Sequence, residues 1–359
     1  MKAAPVLRNL LGALALATMP ISAALAQKPA APLAVPLLLC PWGCGPTESD
    51  TILMNQMIKE GSPVTLLPQE TPGYMFNIRE MANERHWKKT AFSTEDVVIQ
   101  LALKWGGTPE LKEFLPDRVP IRFKLLYGET WWAQGKFFVT FDPKIKSPAD
   151  FKGKRIALGL RGQSDWGVFS RLVLEHGYGI TPQNADIRHL TPAALTQQLL
   201  DGSVDVAVTA FGTEPSFTEI LISPPLRQLE AAAKPLRYIA VSKEAIDKVN
   251  AKLGTTFLHA VLPAGKLPKQ SEPLSLGFNR GFKAAHADFP ADAAYQIVMA
   301  VARNAPKMKE LHVLWKIWSP ELVLHGLSDE NVHPGAKRAF VELGWWDKAK
   351  QFPAVTYPQ

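Results

Sequence analysis

One segment of the chain combines the features of an anion-binding loop. Residues 155–158 are an apolar run that predicts a short strand, and a glycine-containing loop follows at 159–165. Ser164 or Asp165 then caps a predicted helix at 166–175. The first N–H groups of a helix have no partner within the helix, and the helix dipole is positive at that end. The segment therefore suits an anion such as a carboxylate.

Four further loops connect a predicted strand to a predicted helix in the same way. They lie at 41–46, 71–77, 93–96 and 210–215. In an open α/β sheet, ligands bind beyond the carboxyl ends of the strands, where such loops meet helix N-termini. We therefore predict that a small ligand binds where the five loops converge.

The side chains and glycines of these loops define the candidate site. Arg161 has the planar group needed to pair with a carboxylate through two hydrogen bonds, and a solvent-facing arginine is the alternative. Each loop serine or threonine is either a ligand contact or a helix cap. Trp131 and Trp132 either face the site or pack at a hinge. The predicted ligand-binding residues are Gly73, Tyr74, Asn77, Ser93, Thr94, Trp131, Arg161, Gln163, Ser164, Gly212 and Thr213.

The sequence contains no recognisable catalytic or metal-binding motif. Its eight histidines are scattered without the spacing of a metal site. The second glycine of the segment 162–167 comes one residue too late for a nucleophile elbow. The formal charge of +7 is dispersed in short patches, which is not typical of a nucleic-acid surface. We predict a monomer that is not an enzyme and has no cofactor, metal or nucleic-acid partner.

The N-terminus has the pattern of a secretory signal peptide. Lys2 and Arg8 precede an apolar stretch at 10–25, and Ala24 and Ala26 form a small-x-small cleavage site. We expect cleavage near Ala26 and export to the periplasm as a soluble chain. About 330 residues then remain, which suits two domains.

Cys40 and Cys44 are the two cysteines of the sequence. An oxidising compartment permits a local disulfide across the loop between them, and two buried free thiols are the alternative. The spacing is not the Cys-x-x-Cys of redox enzymes, and no zinc-binding pair follows. We therefore predict a structural role for both residues.

Predicted strands and helices alternate along the chain. Strands are predicted at 34–39, 64–67, 90–92, 121–126, 136–141, 204–209 and 238–241, and the chain after 273 is predicted to be mainly helical. Repeated strand–loop–helix units predict an α/β fold with parallel strands.

Four motifs occur in a fixed order along the chain. They read ETPGYMFN at 70–77, SPADFKGKR at 147–155, LLDGSVDVAVTAFG at 199–212 with Glu214 and Pro215, and HPGA at 333–336 with ELG at 342–344. Together they resemble the TAXI family, the solute receptors of tripartite ATP-independent periplasmic (TRAP) transporters. The resemblance extends from about residue 35 to residue 344.

The resemblance implies a type II periplasmic binding protein, in which two α/β lobes with mixed sheets surround a ligand cleft. Such a receptor captures a small organic acid or amino-acid-like ligand and delivers it to a TRAP membrane permease. It divides the chain into a signal peptide (1–26), the first part of lobe 1 (27–137), lobe 2 (138–237), and the return to lobe 1 with C-terminal helices (238–359). The expected crossings between lobes are 136–141 and 236–241.

Two departures from the family pattern affect the expected ligand. Tyr74 replaces a small serine, and Trp166 stands in a loop where small residues are usual. Tyr74 either shrinks the pocket or adds an aromatic wall, and Trp166 adds another aromatic group. Both changes argue against a glutamate-like ligand and allow a carboxylate with an apolar or aromatic body. The alternatives to a TRAP receptor are the binding protein of an ABC importer of the sulfonate or thiamine-precursor type, and a secreted enzyme on the same scaffold.

Overall fold

The computed structural model describes residues 31–120, 122–129 and 133–351. The predicted signal peptide at 1–26 and the candidate residues Trp131 and Trp132 lie outside the described residues. Within these ranges, no helix combines the length and apolar character that a membrane-spanning segment requires.

Thirteen strands lie within the described ranges, and most are short apolar runs bounded by turns. They are β1 (Leu33–Leu38), β2 (Val64–Gln69), β3 (Ala91–Glu95), β4 (Phe123–Gly128), β5 (Ala133–Thr140), β6 (Arg155–Gly159), β7 (Asp186–Leu190), β8 (Val206–Thr213), β9 (Ile220–Ile222), β10 (Arg237–Ile239), β11 (Leu258–Leu262), β12 (Leu274–Asn279) and β13 (Gly281–His286).

The helices follow these strands, and several start at a proline preceded by a capping side chain. Thr191 and Ser223 cap in this way because each side-chain oxygen accepts a backbone N–H of the first turn. The α-helices are α1 (Pro46–Lys59), α2 (Tyr74–Glu80), α3 (Asp96–Trp105), α4 (Ser170–Leu172), α5 (Pro192–Asp201), α6 (Pro224–Glu230), α7 (Lys243–Leu253), α8 (Ala291–Leu311), α9 (Pro320–Val323) and α10 (Pro334–Glu342). The segments Ser164–Phe169 and Val173–Gly177 on either side of α4 are π-helical.

The first sheet forms the first lobe. Its strand order is β2-β1-β3-β13-β4. Strand β1 runs parallel to β2 and β3, whereas β13 runs antiparallel to β3 and β4. The carboxyl ends of β1, β2 and β3 therefore meet at one edge, as the loop pattern predicts.

The second sheet forms the second lobe. Its main path is β11-β12-β5-β8-β6-β7, with β10 beside β5 and β9 beside β8. Strand β6 is parallel to β7 and β8, and β5 is antiparallel to β8 and β12. Both sheets are mixed and both carry helices, which confirms the predicted fold class.

The chain passes between the sheets at places other than those predicted. Residues 136–141 and 236–241 belong to the second sheet, because β5 pairs with β8 and β10 pairs with β5. The observed crossings lie between β4 and β5 and between β12 and β13. The chain after 273 also begins with these last two strands before it becomes helical. The sequence near 238 correctly indicates a strand but does not indicate the sheet that accepts it.

The two crossings lie side by side. The Glu129 N–H donates to the Gly281 carbonyl oxygen at 2.9 Å, and the Asp96 N–H donates to the Arg280 carbonyl oxygen at 3.2 Å. The Arg280 Nε also donates to Asp96 Oδ2 at 3.0 Å, with both side chains buried. These contacts place the connection between the lobes beneath the carboxyl end of β3.

Candidate functional site

The loops after β1, β2 and β6 meet at a polar cavity between the lobes. It encloses about 290 Å³, part of which is open to solvent. The β5 residue Gln134 reaches the cavity from the second sheet. The lining residues are Cys40, Cys44, Pro46, Gly73, Tyr74, Gln134, Gln163, Ser164, Asp165 and Trp166. We refer to this space as the inner cavity.

A second, more apolar pocket adjoins the inner cavity and measures about 580 Å³ with its open space. The two share Cys44, Pro46, Gln134 and Trp166. We call it the outer pocket. Its further lining residues include Phe211, Gly212, Leu221, Ile222, Arg227, His312, Val313 and Leu314.

The lobes touch directly across the inner cavity. The Met75 N–H of the first lobe donates to the Gly162 carbonyl oxygen of the second at 3.0 Å. A Cβ on Gly73 would lie 2.4 Å from that oxygen, and Gly73 has a φ of +131°, which only glycine adopts readily. This close approach of the two backbones requires glycine at position 73, and it defines a closed arrangement of the lobes.

A disulfide joins Cys40 and Cys44 at the end of β1. Of the two alternatives that the sequence left open, the structure therefore has the local bridge. Cys40 also accepts a hydrogen bond at its carbonyl oxygen from the Thr47 hydroxyl at 2.7 Å. The bridge fixes one wall that the inner cavity and the outer pocket share.

Several predicted site residues line this cleft. Gly73, Tyr74, Gln163 and Ser164 line the inner cavity, and Gly212 lines the outer pocket. Gln163 also organises its own loop, because its Oε1 accepts the Leu160 N–H at 2.9 Å.

Other predicted site residues have structural partners instead. The buried Asn77 amide donates to the carbonyl oxygens of Leu39 at 2.6 Å and Ser93 at 3.0 Å, which ties β1 to β3. The Thr94 hydroxyl donates to the Glu95 carbonyl oxygen at 3.5 Å. The Thr213 hydroxyl lies within hydrogen-bonding distance of the carbonyl oxygens of Glu214 at 3.0 Å and Glu219 at 3.1 Å, in the loop after β8. These residues shape the loops from behind the cavity.

Arg161 lies away from the residues that line the cavity. Its side chain is 58% exposed, and its Nε donates to Glu113 Oε1 at 2.7 Å. Among the described residues, it therefore pairs with a carboxylate of the protein rather than facing the inner cavity. Gly162 brings the backbone of this loop to the cleft, whereas the long side chain of Arg161 points outward to solvent.

Replacement of Arg161 by alanine should leave ligand affinity unchanged within about twofold. An exposed ion pair contributes only about 0–1 kcal/mol, and this one touches neither cavity. Calorimetric titration of Arg161→Ala with the ligand that co-purifies with the protein checks this expectation. A loss of binding of about 2 kcal/mol or more would restore the sequence-based role of Arg161 as a carboxylate anchor.

A buried ionic cluster lies beneath the cavity in the first lobe. Lys283 Nζ contacts Asp50 Oδ2 at 2.9 Å and Glu129 Oε1 at 2.7 Å, with all three side chains nearly inaccessible to solvent. Burial lowers the pKa of Lys283, but the two carboxylates outweigh it and leave the pKa above its ordinary value. Burial raises the pKa of Glu129, and the Lys283 charge opposes that shift.

A second buried group of ionisable residues spans both lobes. Burial raises the pKa of Glu95, at the end of β3, to about 8, and Asp165 raises it further while Lys136 opposes the shift. Burial lowers the pKa of Lys136, which is 1% exposed. In the described part of the chain, Lys136 forms no ion pair within 4.0 Å, and its hydrogen bond goes to the Gln134 carbonyl oxygen at 3.4 Å.

Tyr74 lies among the carboxylates of both groups. Burial raises its pKa well above 10, and the charges of Glu129, Glu95 and Asp165 raise it further. The hydroxyl therefore stays protonated and is a permanent hydrogen-bond donor at the wall of the inner cavity. This position agrees with the sequence-based expectation that Tyr74 adds an aromatic wall.

No sequence motif singled out the buried charges Asp50, Glu95, Lys136 and Lys283. The signal that could have found two of them is a lone lysine within an apolar strand, as in β5 and β13. A lysine in such a strand is expensive to bury unless carboxylates face it. No cluster with the composition of a metal site occurs among the described residues.

The two mixed sheets, the paired crossings and the cleft between the lobes define the fold of the periplasmic binding proteins. The solved structure of the periplasmic binding protein BugD is similar to this chain, with a TM-score of 0.51 at 12% identity over 89% of this chain and 96% of that chain. The chain belongs to the NMT1-like family, whose model matches residues 55–344.

Two further solved structures have lower structural similarity. MatC from Rhodopseudomonas palustris with bound malate has a TM-score of 0.48 at 13% identity, over 89% of this chain and 99% of that chain. The aliphatic sulphonate binding protein SsuA from Escherichia coli has a TM-score of 0.37 at 14% identity, over 90% of this chain and 80% of that chain.

Proposed function

We propose that this protein is a periplasmic solute-binding receptor that captures a small molecule between its two lobes. The observation that carries the proposal is the inner cavity, which polar groups from both lobes surround at the carboxyl ends of their strands. Gly73, Tyr74, Gln163 and Ser164 contact the ligand, and the outer pocket holds its apolar part. The receptor binds without turnover and acts as a monomer.

Three features together support a periplasmic location for the mature protein. The N-terminal pattern is that of a signal peptide, the Cys40–Cys44 disulfide suits an oxidising compartment, and the fold is that of periplasmic binding proteins. We place the mature protein in the periplasm, with cleavage near Ala26.

The membrane partner is a TRAP permease. The resemblance of the four motifs to those of TAXI receptors supports this partner, and the alternative is an ABC importer. Co-purification from membranes distinguishes them, because the retained partner is either a permease or a complex containing an ATPase. A secreted enzyme on the same scaffold would release a bound compound chemically changed, whereas a receptor releases it intact.

Ligand should close the lobes and stabilise the protein. The two crossings are short and adjacent, so bending there moves the lobes as units. A ligand at 100 times its Kd should add about 2.7 kcal/mol to the free energy of unfolding. Small-angle scattering and thermal unfolding, with and without the co-purified compound, test the proposal. An unchanged radius of gyration and an unchanged Tm at saturation would contradict it.

A further inference from the structure

The inner cavity is surrounded by more buried acids than bases. Asp50, Glu95, Glu129 and Asp165 all act electrostatically on Tyr74, which lines the cavity. They come from four different elements, namely α1, β3, the end of β4 and the segment after β6. The buried bases near them are Lys283 and Lys136. Four carboxyl groups thus face two ammonium groups, an excess of two acids.

The other buried ion pair at the crossings does not change this balance. Asp96 and Arg280 are matched to each other, with Nε and Oδ2 at 3.0 Å. Lys283 is likewise committed to Asp50 and Glu129. Of the four acids, Glu95 and Asp165 are therefore the two that form no ion pair within 4.0 Å in the described part of the chain.

Several hydrogen-bonding groups around Glu95 are incompletely satisfied within the described part of the chain. No hydrogen bond within 3.5 Å reaches Glu95 Oε2, the Ser164 hydroxyl, Gln134 Oε1 or either amide atom of Asn279, and Ser164 and Asn279 interact with the Glu95 carboxyl only at longer range. Glu95, Ser164, Gln134 and Asn279 are on separate strands or loops of both lobes, and burial of such atoms without a partner costs free energy. Ser164 and Gln134 line the inner cavity, so these groups converge on it.

We propose that the ligand carries a protonated amine, which enters the inner cavity and pairs with Asp165 and Glu95. This inference rests on the proposed binding function and specifies the ligand class. An ammonium group has three N–H donors and a positive charge, and the cavity supplies carboxylate and amide oxygens to match them. The apolar outer pocket then holds a hydrocarbon or aromatic body attached to the amine.

Protonation of Glu95 couples ligand binding to pH. Lys136, Asp165, Ser164 and Asn279 face this carboxyl group from the elements around it. Its pKa of about 8 leaves it largely protonated at pH 7. An ammonium group favours the ionised carboxylate, so binding releases a proton, and affinity increases as the pH rises from 6 to 8.

Two probes of matched shape and opposite charge test the proposal. Phenethylamine and 3-phenylpropionate carry the same phenyl ring and two-carbon chain, and they end in an ammonium and a carboxylate. We expect phenethylamine to raise the Tm of the full chain and phenylpropionate to leave it unchanged. Calorimetry in phosphate and Tris buffers at pH 7 should show net proton release with the amine.

Two variants distinguish the roles of the acids. Glu95→Gln and Asp165→Asn should each weaken phenethylamine binding by roughly 30-fold or more, because each removes one partner of a buried charge pair. Proton release should disappear in Glu95→Gln and only decrease in Asp165→Asn, because loss of the Asp165 charge lowers the pKa of Glu95 without removing its carboxyl group. The control Asp288→Asn, at an exposed ion pair with Arg122, should bind as the wild type does.

The outcomes separate this inference from the binding function itself. Stronger stabilisation by phenylpropionate, or a co-purified ligand without a basic nitrogen, would contradict the proposal of an amine ligand. Neither result would contradict the proposed receptor function. Unaltered phenethylamine affinity in both acid variants would also overturn the amine ligand. If neither probe stabilised the protein and no small molecule co-purified with it, both the proposed amine ligand and the proposed receptor function would be contradicted.

Discussion

Replacing Gly162 by alanine should prevent the lobes from closing fully. A Cβ at this position would lie 2.7 Å from the Pro72 carbonyl oxygen and 2.8 Å from the Pro72 Cβ, on the opposite lobe. Overpacking of this kind costs about 1–3 kcal/mol, and only the closed form experiences it. Since ligand is held in the closed form, affinity should fall by about 5- to 150-fold. Calorimetry and small-angle scattering with the co-purified ligand measure the two effects.

A second glycine provides the matched control for Gly162→Ala. A Cβ on Gly177 would meet the Ala245 Cβ at 2.7 Å, but both residues belong to the second lobe. Gly177→Ala should therefore lower the Tm of the ligand-free protein while the affinity and the compaction on binding are retained. If Gly162→Ala bound ligand and compacted as the wild type does, the direct contact between Pro72 and Gly162 would not be a feature of the bound state.

Replacing Lys283 by methionine should cost about 3–5 kcal/mol of stability at pH 7, because it leaves two carboxylates buried without a cation. Asp50 and Glu129 contact its ammonium group at 2.9 and 2.7 Å, and all three side chains are nearly inaccessible to solvent. Denaturant unfolding measures the change. The control is Lys243→Met, whose exposed pair with Asp247 is expected to contribute less than about 0.5 kcal/mol.

The penalty of Lys283→Met should shrink in acid. Burial already raises the pKa of Glu129, and without the Lys283 cation to oppose it that pKa rises further above its unfolded value of about 4. Between the unfolded and folded pKa values of Glu129, folding requires its carboxyl group to take up a proton, so the destabilisation grows as the pH rises. We expect a smaller loss at pH 5 than at pH 7. A loss that is equal at both values would show that packing, rather than charge, explains the defect.

Local patterns predicted the elements and the loops well. Alternating strands and helices, glycines in the connecting loops and proline or serine caps are properties of a few consecutive residues. Gly73, in one of these loops, borders the inner cavity. Tyr74 also lies at the cavity wall, as its position at the start of α2 indicates.

Properties that depend on distant partners were predicted poorly. β10 pairs with β5 of the second sheet, and β13 returns the chain to the first sheet. The sheet that a strand joins depends on distant strands, so a local sequence pattern does not predict it. Glu113 lies 48 positions before Arg161, so the sequence of the loop around Arg161 does not indicate the ion pair between these two residues. Lys136 and Glu95 come from different sheets, and their burial together is a property of the assembled cleft.

The place of β13 in the first sheet determines the order in which the protein can be completed. This strand lies between β3 and β4 and is formed by residues 281–286, after the entire second lobe in the sequence. Until it has been synthesised, β4 has no neighbouring strand to join it to β3. A nascent chain can therefore build the second lobe first, while the first lobe stays incomplete until most of the chain has emerged. Because the cleft lies between the two lobes, it is the last part of the molecule to form.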